Sequence, residues 1–253
     1  KAGEIFDKEN IRVIRPRLGL EPKEYDAVLG TKAAREVLRG TPLTNDMIVK
    51  NEMISDNCAR TSDDQKTKIK AHWDEQAAKG ADNPLATTND KLLRELEIKS
   101  ILSHIPDAPL RIADVGCGTG YSTMEFARQR PARFVGIDYS ENMIGEADKL
   151  LAGVDDAVRG RVEFHVGDVL SLQSLNLELF DIVTTDRCLI NLTSAEDQKQ
   201  AIAQIHGIIK PGGAYIMCEG SRQGFAKVNE LCALSGLPLL TNYWHNIYLD
   251  EDI

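Results

Sequence analysis

"DVGCGTGYS", residues 114–122, is the stretch that decides the fold. Its three glycines, Gly116, Gly118 and Gly120, follow a short hydrophobic run and precede a segment with helical spacing. Glycine lets a ligand approach the backbone closely, and the start of a helix offers unpaired N–H groups. The stretch therefore predicts a ligand-binding turn between a strand and a helix, although glycines also form ordinary turns.

Short apolar runs alternate with helical segments after residue 110. The predicted strands cover 110–116, 133–138, 161–168, 180–186 and 214–220, and the predicted helices cover 121–129, 140–153 and 194–213. This alternation predicts a Rossmann-like, doubly wound, mostly parallel sheet. Upstream, residues 89–105 predict an amphipathic helix with Arg94 on its solvated face. Its apolar stripe comprises Leu92, Leu93, Leu96, Ile98, Ile101, Leu102 and Ile105.

Composition narrows the class of protein. The 253 residues suffice for one α/β domain and a small module, and the net charge of −9 disfavours nucleic acid as a partner. No apolar run approaches the roughly 20 residues of a membrane-spanning helix, and the N-terminus does not resemble a secretory signal. The five scattered cysteines form no C-x-x-C pair, which indicates reduced thiols and no metal site. We therefore expect a cytoplasmic protein without membrane contact.

The spacing of the glycines separates two kinds of nucleoside cofactor. A dinucleotide fingerprint needs a third glycine where this chain has Tyr121. The pattern Asp114-x-Gly116-x-Gly118-x-Gly120 instead resembles the first motif of class I S-adenosylmethionine-dependent methyltransferases, and the resemblance extends over about residues 70–250. It implies S-adenosylmethionine as the cofactor. A nicotinamide dehydrogenase remains a distant alternative.

The resemblance also implies which residues bind the cofactor. Asp138, which ends the second strand in "FVGIDYS", would hold both ribose hydroxyls, with a helix cap as the alternative. Asp168 would contact the adenine amino group unless it only forms a turn, and Met143 would cover the adenine face unless it belongs to the core. The implied set is Asp114, Gly116, Cys117, Gly118, Gly120, Asp138, Tyr139, Met143, Asp168, Val169 and Trp73, the last lying in a lid segment, "AHWDEQA".

Catalytic groups are expected at the ends of the fourth and fifth strands and in a lid. Asp186 and Arg187 suit an acceptor that carries a carboxylate or hydroxyl, or else form a surface ion pair. In "NYWHNIYLDED", His245 is the candidate general base, although a single histidine is often structural. Asn191 begins a glycosylation sequon that carries no weight in a cytoplasmic chain.

The first 50 residues have a different character. "ENIRVIRP" (9–16), "VLGTKAAREV" (28–37) and "GTPLTNDMI" (40–48) resemble the antifreeze-like SAF domain of sialic acid synthases, a small β-rich module. The resemblance implies that Arg12 or Arg15 contacts a sugar acid, with a solvated basic strand as the alternative. The predicted organisation is a SAF-like module at 1–50, a linker at 51–70 that passes into a helix, and a methyltransferase domain at 71–253.

These observations leave two hypotheses of function. The first is a methyltransferase that acts on a small hydroxylated acceptor, such as a sialic-type sugar acid. The second is a non-catalytic cofactor-binding partner of a sugar-acid synthase, docked through the N-terminal module, which could also mediate a homodimer. The family's two closing antiparallel strands have no counterpart in residues 1–253, so we expect either a longer natural chain or a five-stranded sheet with an exposed edge.

Overall fold

The chain divides into two compact units, Lys1–Arg60 and Thr61–Ile253. The computed structural model describes residues 4–6, 10–11, 20, 28, 31–38, 40–49, 62–78 and 90–250.

The first unit contains a short antiparallel ribbon. Its strands are β1 (Lys32–Ala33) and β2 (Ile48–Val49), and a 3-10 turn at Asn45–Met47 leads into the second. A small apolar cluster of Phe6, Val28 and Ala33 is buried beside the ribbon. The predicted sugar-acid ligands, Arg12 and Arg15, lie outside the described residues.

A five-stranded parallel sheet forms the centre of the second unit. Its strands are β3 (Arg111–Val115), β4 (Arg133–Asp138), β5 (Val162–Val166), β6 (Phe180–Asp186) and β7 (Ile209–Cys218). They are ordered β5-β4-β3-β6-β7, so the chain moves outward to one edge and then crosses back. This topology confirms the predicted Rossmann-like sheet. The carboxyl ends of β3, β4 and β6 meet at one edge, where ligands of such sheets bind.

Helices cover both faces of this sheet. They are α1 (Ser62–Ala77), α2 (Lys91–His104), α3 (Tyr121–Gln129), α4 (Glu141–Ala152), α5 (Asp156–Arg159), α6 (Ala195–Gly207) and α7 (Arg222–Leu234). Because side chains alternate along a strand, neighbours such as Ile112 and Ala113 enter different cores. One core joins the sheet to α2 and α3, and the other joins it to α6. Among the described residues, no helix combines the length and apolar content needed to cross a bilayer.

The segment 51–70 was expected to be a linker that passes into a helix, and α1 begins at Ser62. The buried apolar side chains of α1 are sparse; Ile69 and Ala77 are the examples in its described part. One predicted boundary was wrong. The predicted helix 194–213 ends at Gly207, and residues 209–213 join β7, which pairs with β6 through an irregularity between Phe180 and Ile182.

The predicted apolar stripe of α2 is correct only in its second half. Ile98, Ile101, Leu102 and Ile105 are buried, whereas Leu92, Leu93 and Leu96 are 77%, 41% and 64% exposed. Arg94, expected on the solvated face, is only 7% exposed, and Glu97 is buried beside it. The first half of α2 therefore packs charged side chains against the domain and leaves its leucine side chains exposed.

Candidate functional site

The glycine turn is held against the end of β4. Gly116, Gly118 and Gly120 all have left-handed backbones, with φ of +79°, +54° and +75°. The N–H groups of Gly116 and Cys117 both donate to the carbonyl oxygen of Ile137, at 2.7 and 3.2 Å. A Cβ added at Gly116 would lie 2.6 Å from the Cβ of Cys188. The glycines thus permit both the backbone turn and its close approach to the loop after β6.

The carboxylate of Asp138 lies directly beside this turn. The side chain is buried; one oxygen accepts from the N–H of Gly118 at 2.9 Å and the other from the N–H of Ser140 at 3.0 Å. A carboxylate has about four acceptor positions, so each oxygen retains one. Ser140, and not Asp138, caps α4, because its hydroxyl accepts from Met143 N–H. Burial raises the pKa of Asp138 to about 6, although the two N–H donors act to lower it.

Asp114 ties three elements together beneath the turn. Its carboxylate accepts from the hydroxyls of Thr123 on α3 and Thr184 on β6. The side chain is buried, and this burial raises its pKa to about 6, while the two hydroxyl donors act in the opposite direction. Asp114 therefore fixes where α3 begins relative to the sheet, and its role toward a cofactor stays a prediction.

The other predicted cofactor residues surround the same strand edge. Tyr139 has a buried hydroxyl with no hydrogen-bond partner within the described part of the chain, which fits a site that a polar ligand completes. Asp168 is exposed and caps the 3-10 segment Val169–Leu175 by accepting from Leu170 N–H. Val169 and Met143 are buried. Asp138, Tyr139 and the glycine turn together fit a nucleoside with a ribose diol.

Asp186 and Arg187 belong to a partly buried charge cluster. We define this cluster as Arg94, Glu97, Asp186 and Arg187. Arg187 Nε lies 3.1 Å from a Glu97 oxygen and 3.8 Å from Asp186 Oδ1. Burial and the neighbouring Asp186 raise the pKa of Glu97 to about 7. Asp186 and Arg187 thus form an ion pair that is partly buried, and their catalytic role stays a prediction.

His245 lies in a different group of side chains, an aromatic cluster that joins α1 to the segment 243–245. The cluster consists of His72, Trp73, Tyr243, Trp244 and His245, with His245 only 7% exposed at its centre. The ring of His72 lies 4.9 Å from that of His245, and the ring of Trp73 lies 5.5 Å away, edge-on. Trp244 and Tyr243 remain largely exposed.

The aromatic cluster is fixed at the carboxyl edge of the sheet. On α1, Asp74 accepts from the hydroxyl of Ser140, two residues after Asp138, at 2.5 Å. On the opposite side, His245 Nδ1 lies 2.9 Å from Asn191 Oδ1, and Ile247 N–H donates to the Ile190 carbonyl oxygen at 2.7 Å. The predicted base, His245, and the predicted ribose ligand, Asp138, are therefore anchored at the carboxyl ends of β6 and β4, the two strands that flank β3.

The sequence did not reveal three residues of this region. His72 is adjacent to the lid tryptophan, Asn191 was discounted as part of a sequon, and Glu97 was hidden among the leucines of α2. A usable signal for His72 existed, because "HW" in α1 and "WH" at 244–245 pair histidine with tryptophan twice. Asn191 and Glu97 acquire their partners only through the fold.

The parallel sheet has this strand order, a glycine turn after β3 and a buried acid at the end of β4. These features define an α/β domain that binds a nucleoside cofactor. A family model described as a methyltransferase domain matches residues 106–249, more than half of the chain. The chain therefore belongs to this methyltransferase family, as the sequence motifs predicted. A SAF domain model matches residues 1–49, which confirms the second resemblance.

Curated relatives cover the same region. The chain is 31% identical over 137 residues to a demethylmenaquinone methyltransferase of Clavibacter sepedonicus, covering 54% of this chain and 51% of the relative. It is 31% identical over 148 residues to the human mitochondrial ubiquinone biosynthesis O-methyltransferase, covering 56% and 38%. The chain thus spans about half or less of these relatives.

Among solved structures, Haemonchus contortus phosphoethanolamine N-methyltransferase 1 has a TM-score of 0.52 at 18% identity, covering 65% of this chain and 34% of that one. A likeness at this identity concerns the fold. The family match itself supports S-adenosylmethionine as the cofactor.

Proposed function

We propose that this chain catalyses S-adenosylmethionine-dependent methyl transfer to a small hydroxylated acceptor. The observation that carries the proposal is the buried carboxylate of Asp138, oriented by the N–H groups of Gly118 and Ser140 at the edge of the glycine turn. Its two remaining acceptor positions suit the two hydroxyls of a ribose. When bound, the cofactor supplies an electrophilic methyl group on a sulfonium.

The residues of this chain then have to bind the cofactor, align the acceptor with it and deprotonate the acceptor. The glycine turn, Asp138 and Tyr139 would hold the nucleoside, and Trp73 on α1 would cover it. His245 would take the proton of the acceptor hydroxyl. Burial and the adjacent His72 lower the pKa of His245, while a side-chain hydrogen bond with Asn246 acts to raise it. The imidazole is therefore neutral and able to accept a proton at neutral pH.

The aromatic cluster favours an acceptor whose hydroxyl is carried on a flat ring. Five rings lie together there, and Tyr243 and Trp244 leave much of their surface open for stacking. The relatives named for demethylmenaquinone and for ubiquinone biosynthesis agree with a ring-bearing acceptor, and the second is named for transfer to oxygen. A sialic-type acceptor and a sugar-acid synthase partner rest on the SAF match alone, and no contact in the described residues supports them.

Calorimetry with S-adenosylhomocysteine tests the cofactor site. Asp138→Ala removes two hydrogen bonds to a charged group, and we expect a loss of about 1–3 kcal/mol in binding free energy, or roughly 5- to 150-fold in Kd. Asp148→Ala, an exposed carboxylate on α4, is the matched control and should bind as the unmodified chain does. Equal affinities in the two variants would sink the ribose assignment.

Turnover separates the enzyme from a non-catalytic binding partner. The full chain is incubated with S-adenosylmethionine and a panel of hydroquinones, phenols and sialic-type acids, and S-adenosylhomocysteine is quantified. We expect acceptor-dependent turnover with a ring hydroxyl, reduced roughly 100-fold in kcat by His245→Gln, the loss typical of a missing general base. Tight cofactor binding without turnover on any acceptor would favour the non-catalytic alternative.

A further inference from the structure

Asn191 connects the loop after β6 to the ring of His245. Its Oδ1 lies 2.9 Å from His245 Nδ1, and its Nδ2 donates to the carbonyl oxygen of Arg187 at 2.6 Å. A carbonyl oxygen can only accept, so the NH2 end of the amide must face Arg187 and its oxygen must face His245. A ring nitrogen that faces an amide oxygen has to donate. The proton of the neutral His245 ring is therefore on Nδ1.

The other ring nitrogen of His245 is left as the basic atom. Within the described residues, the geometry shows a hydrogen bond at Nδ1 and none at Nε2. The ring is surrounded by His72, Trp73, Tyr243 and Trp244, and by the amide of Asn246, which acts to raise its pKa. Of these, His72 on α1 and Tyr243 on the ring's own segment are titratable. The neutral ring consequently has its lone pair on Nε2.

The backbone that positions Asn191 is held in turn by Glu219 at the end of β7. The Glu219 carboxylate accepts from the N–H groups of Cys188, Leu189 and Ile190, at 2.9 to 3.3 Å. These are the three residues between Arg187, with its left-handed φ of +54°, and Asn191. Three bonds to one carboxylate fix the loop, so the amide of Asn191 meets the ring in one orientation.

From these contacts, and resting on the proposed methyl transfer, we propose that Asn191 is a positioning residue that holds His245 in the Nδ1–H tautomer. Nε2 is then the atom that takes the proton of the acceptor. The acceptor O–H bond would break and an Nε2–H bond would form, with the electron pair staying on oxygen. The cofactor would supply the methyl group to that oxygen, its sulfur–methyl bond breaking with S-adenosylhomocysteine as the leaving group. Nδ1 keeps its hydrogen bond to Asn191 throughout, and Nε2 afterwards releases its proton to water.

Nitrogen NMR of the full, isotopically labelled chain reads the tautomer without any turnover. The five histidine rings are recorded at pH 8, and the signals of His245 are assigned as those absent from His245→Gln. We expect Nδ1 to carry the proton in the unmodified chain. A ring protonated on Nε2 would overturn the proposal, whatever the activity of the protein.

Two substitutions at residue 191 should act in different ways. Asn191→Ala removes the acceptor, so His245 should lose its preference for the Nδ1–H form and kcat should fall about 10-fold with KM nearly unchanged. Asn191→Asp keeps an acceptor and adds a negative charge, so the Nδ1–H form should persist and the acidic limb of the kcat profile should move up by about 1 pH unit. Gln223→Ala, which removes an exposed amide on α7, should change neither.

The pattern of results separates this proposal from the proposed function. An unchanged tautomer in Asn191→Ala would overturn the positioning role even in an active enzyme. Conversely, the expected tautomers in a chain that methylates no acceptor would keep the geometric assignment and refute the methyl transfer. A merely structural role for Asn191 predicts the same loss in both variants and no shift in the pH profile, which would also overturn the proposal.

Discussion

Two glycines of the second unit, Gly116 and Gly145, show how differently single residues constrain this site. Gly116 has φ of +79° and no room for a Cβ beside Cys188. Gly145 lies within α4, and a Cβ there would meet no atom within 4 Å. The first glycine is required by its backbone and its neighbour, whereas the second only adds flexibility to a helix.

Alanine at these two positions should therefore have opposite effects. We expect Gly116→Ala to lower the free energy of unfolding by about 1–3 kcal/mol and to weaken cofactor binding, because the backbone is strained and the turn must shift. Gly145→Ala should raise it by up to about 1 kcal/mol. Urea denaturation followed by tryptophan fluorescence measures both. Equal effects of the two substitutions would contradict the assigned geometry.

At the residue scale, the sequence predicted what is encoded locally. The glycine turn and the position of Asp138 follow from a few consecutive residues whose conformations and strand ends are set by short-range sterics. The Asn191–His245 bond joins residues 54 positions apart, and neither has a local pattern that requires the other. Such pairs arise from the packing of loops on the sheet edge, which spacing along the chain does not reveal.

At the scale of elements, α2 shows why periodicity can mislead. Seven apolar residues suggested one stripe, yet the domain buries Arg94 and Glu97 in its first half because Asp186 and Arg187 at the end of β6 provide opposite charges. Arg94 also reaches Ser122 at the start of α3. A buried charge with partners can displace leucine from a helix face, and those partners lie on other elements.

Along α2, loss of the charged side chain of Arg94 should therefore destabilise the fold more than loss of an exposed leucine side chain. Arg94→Met leaves the carboxylates of the charge cluster short of one cation, and we expect a loss of roughly 3 kcal/mol of unfolding free energy. Leu96→Ala, at a largely exposed position, should cost less than about 0.5 kcal/mol. Both values come from urea unfolding monitored at Trp73 and Trp244. A larger loss for Leu96→Ala would show that the leucine face is the buried one.

At the scale of the whole molecule, the sheet edge concentrates carboxyl groups that burial makes hard to ionise. Burial raises the pKa of Asp114 and Asp138 to about 6, and that of Glu97 and Glu219 to about 7. In the unfolded chain these groups titrate near pH 4. The folded unit therefore binds protons more tightly than the unfolded chain, and the two states differ most between about pH 4 and 7. His245, with a lowered pKa, opposes this trend.

The sign of the resulting pH dependence follows from proton linkage. Burial also raises the pKa of Asp186. Stability from these raised carboxyl groups is fully present below about pH 4 and is lost as the pH rises through 6 to 7, so the ligand-free chain should resist urea better at pH 5.5 than at pH 8. Glu219→Gln removes one titrating group and should flatten the slope by up to about 1.4 kcal/mol per pH unit. The exposed Glu230→Gln is the matched control and should leave the slope unchanged. An identical slope in both variants would mean that the carboxylate beneath the Asn191 loop ionises in the folded chain as freely as in the unfolded one.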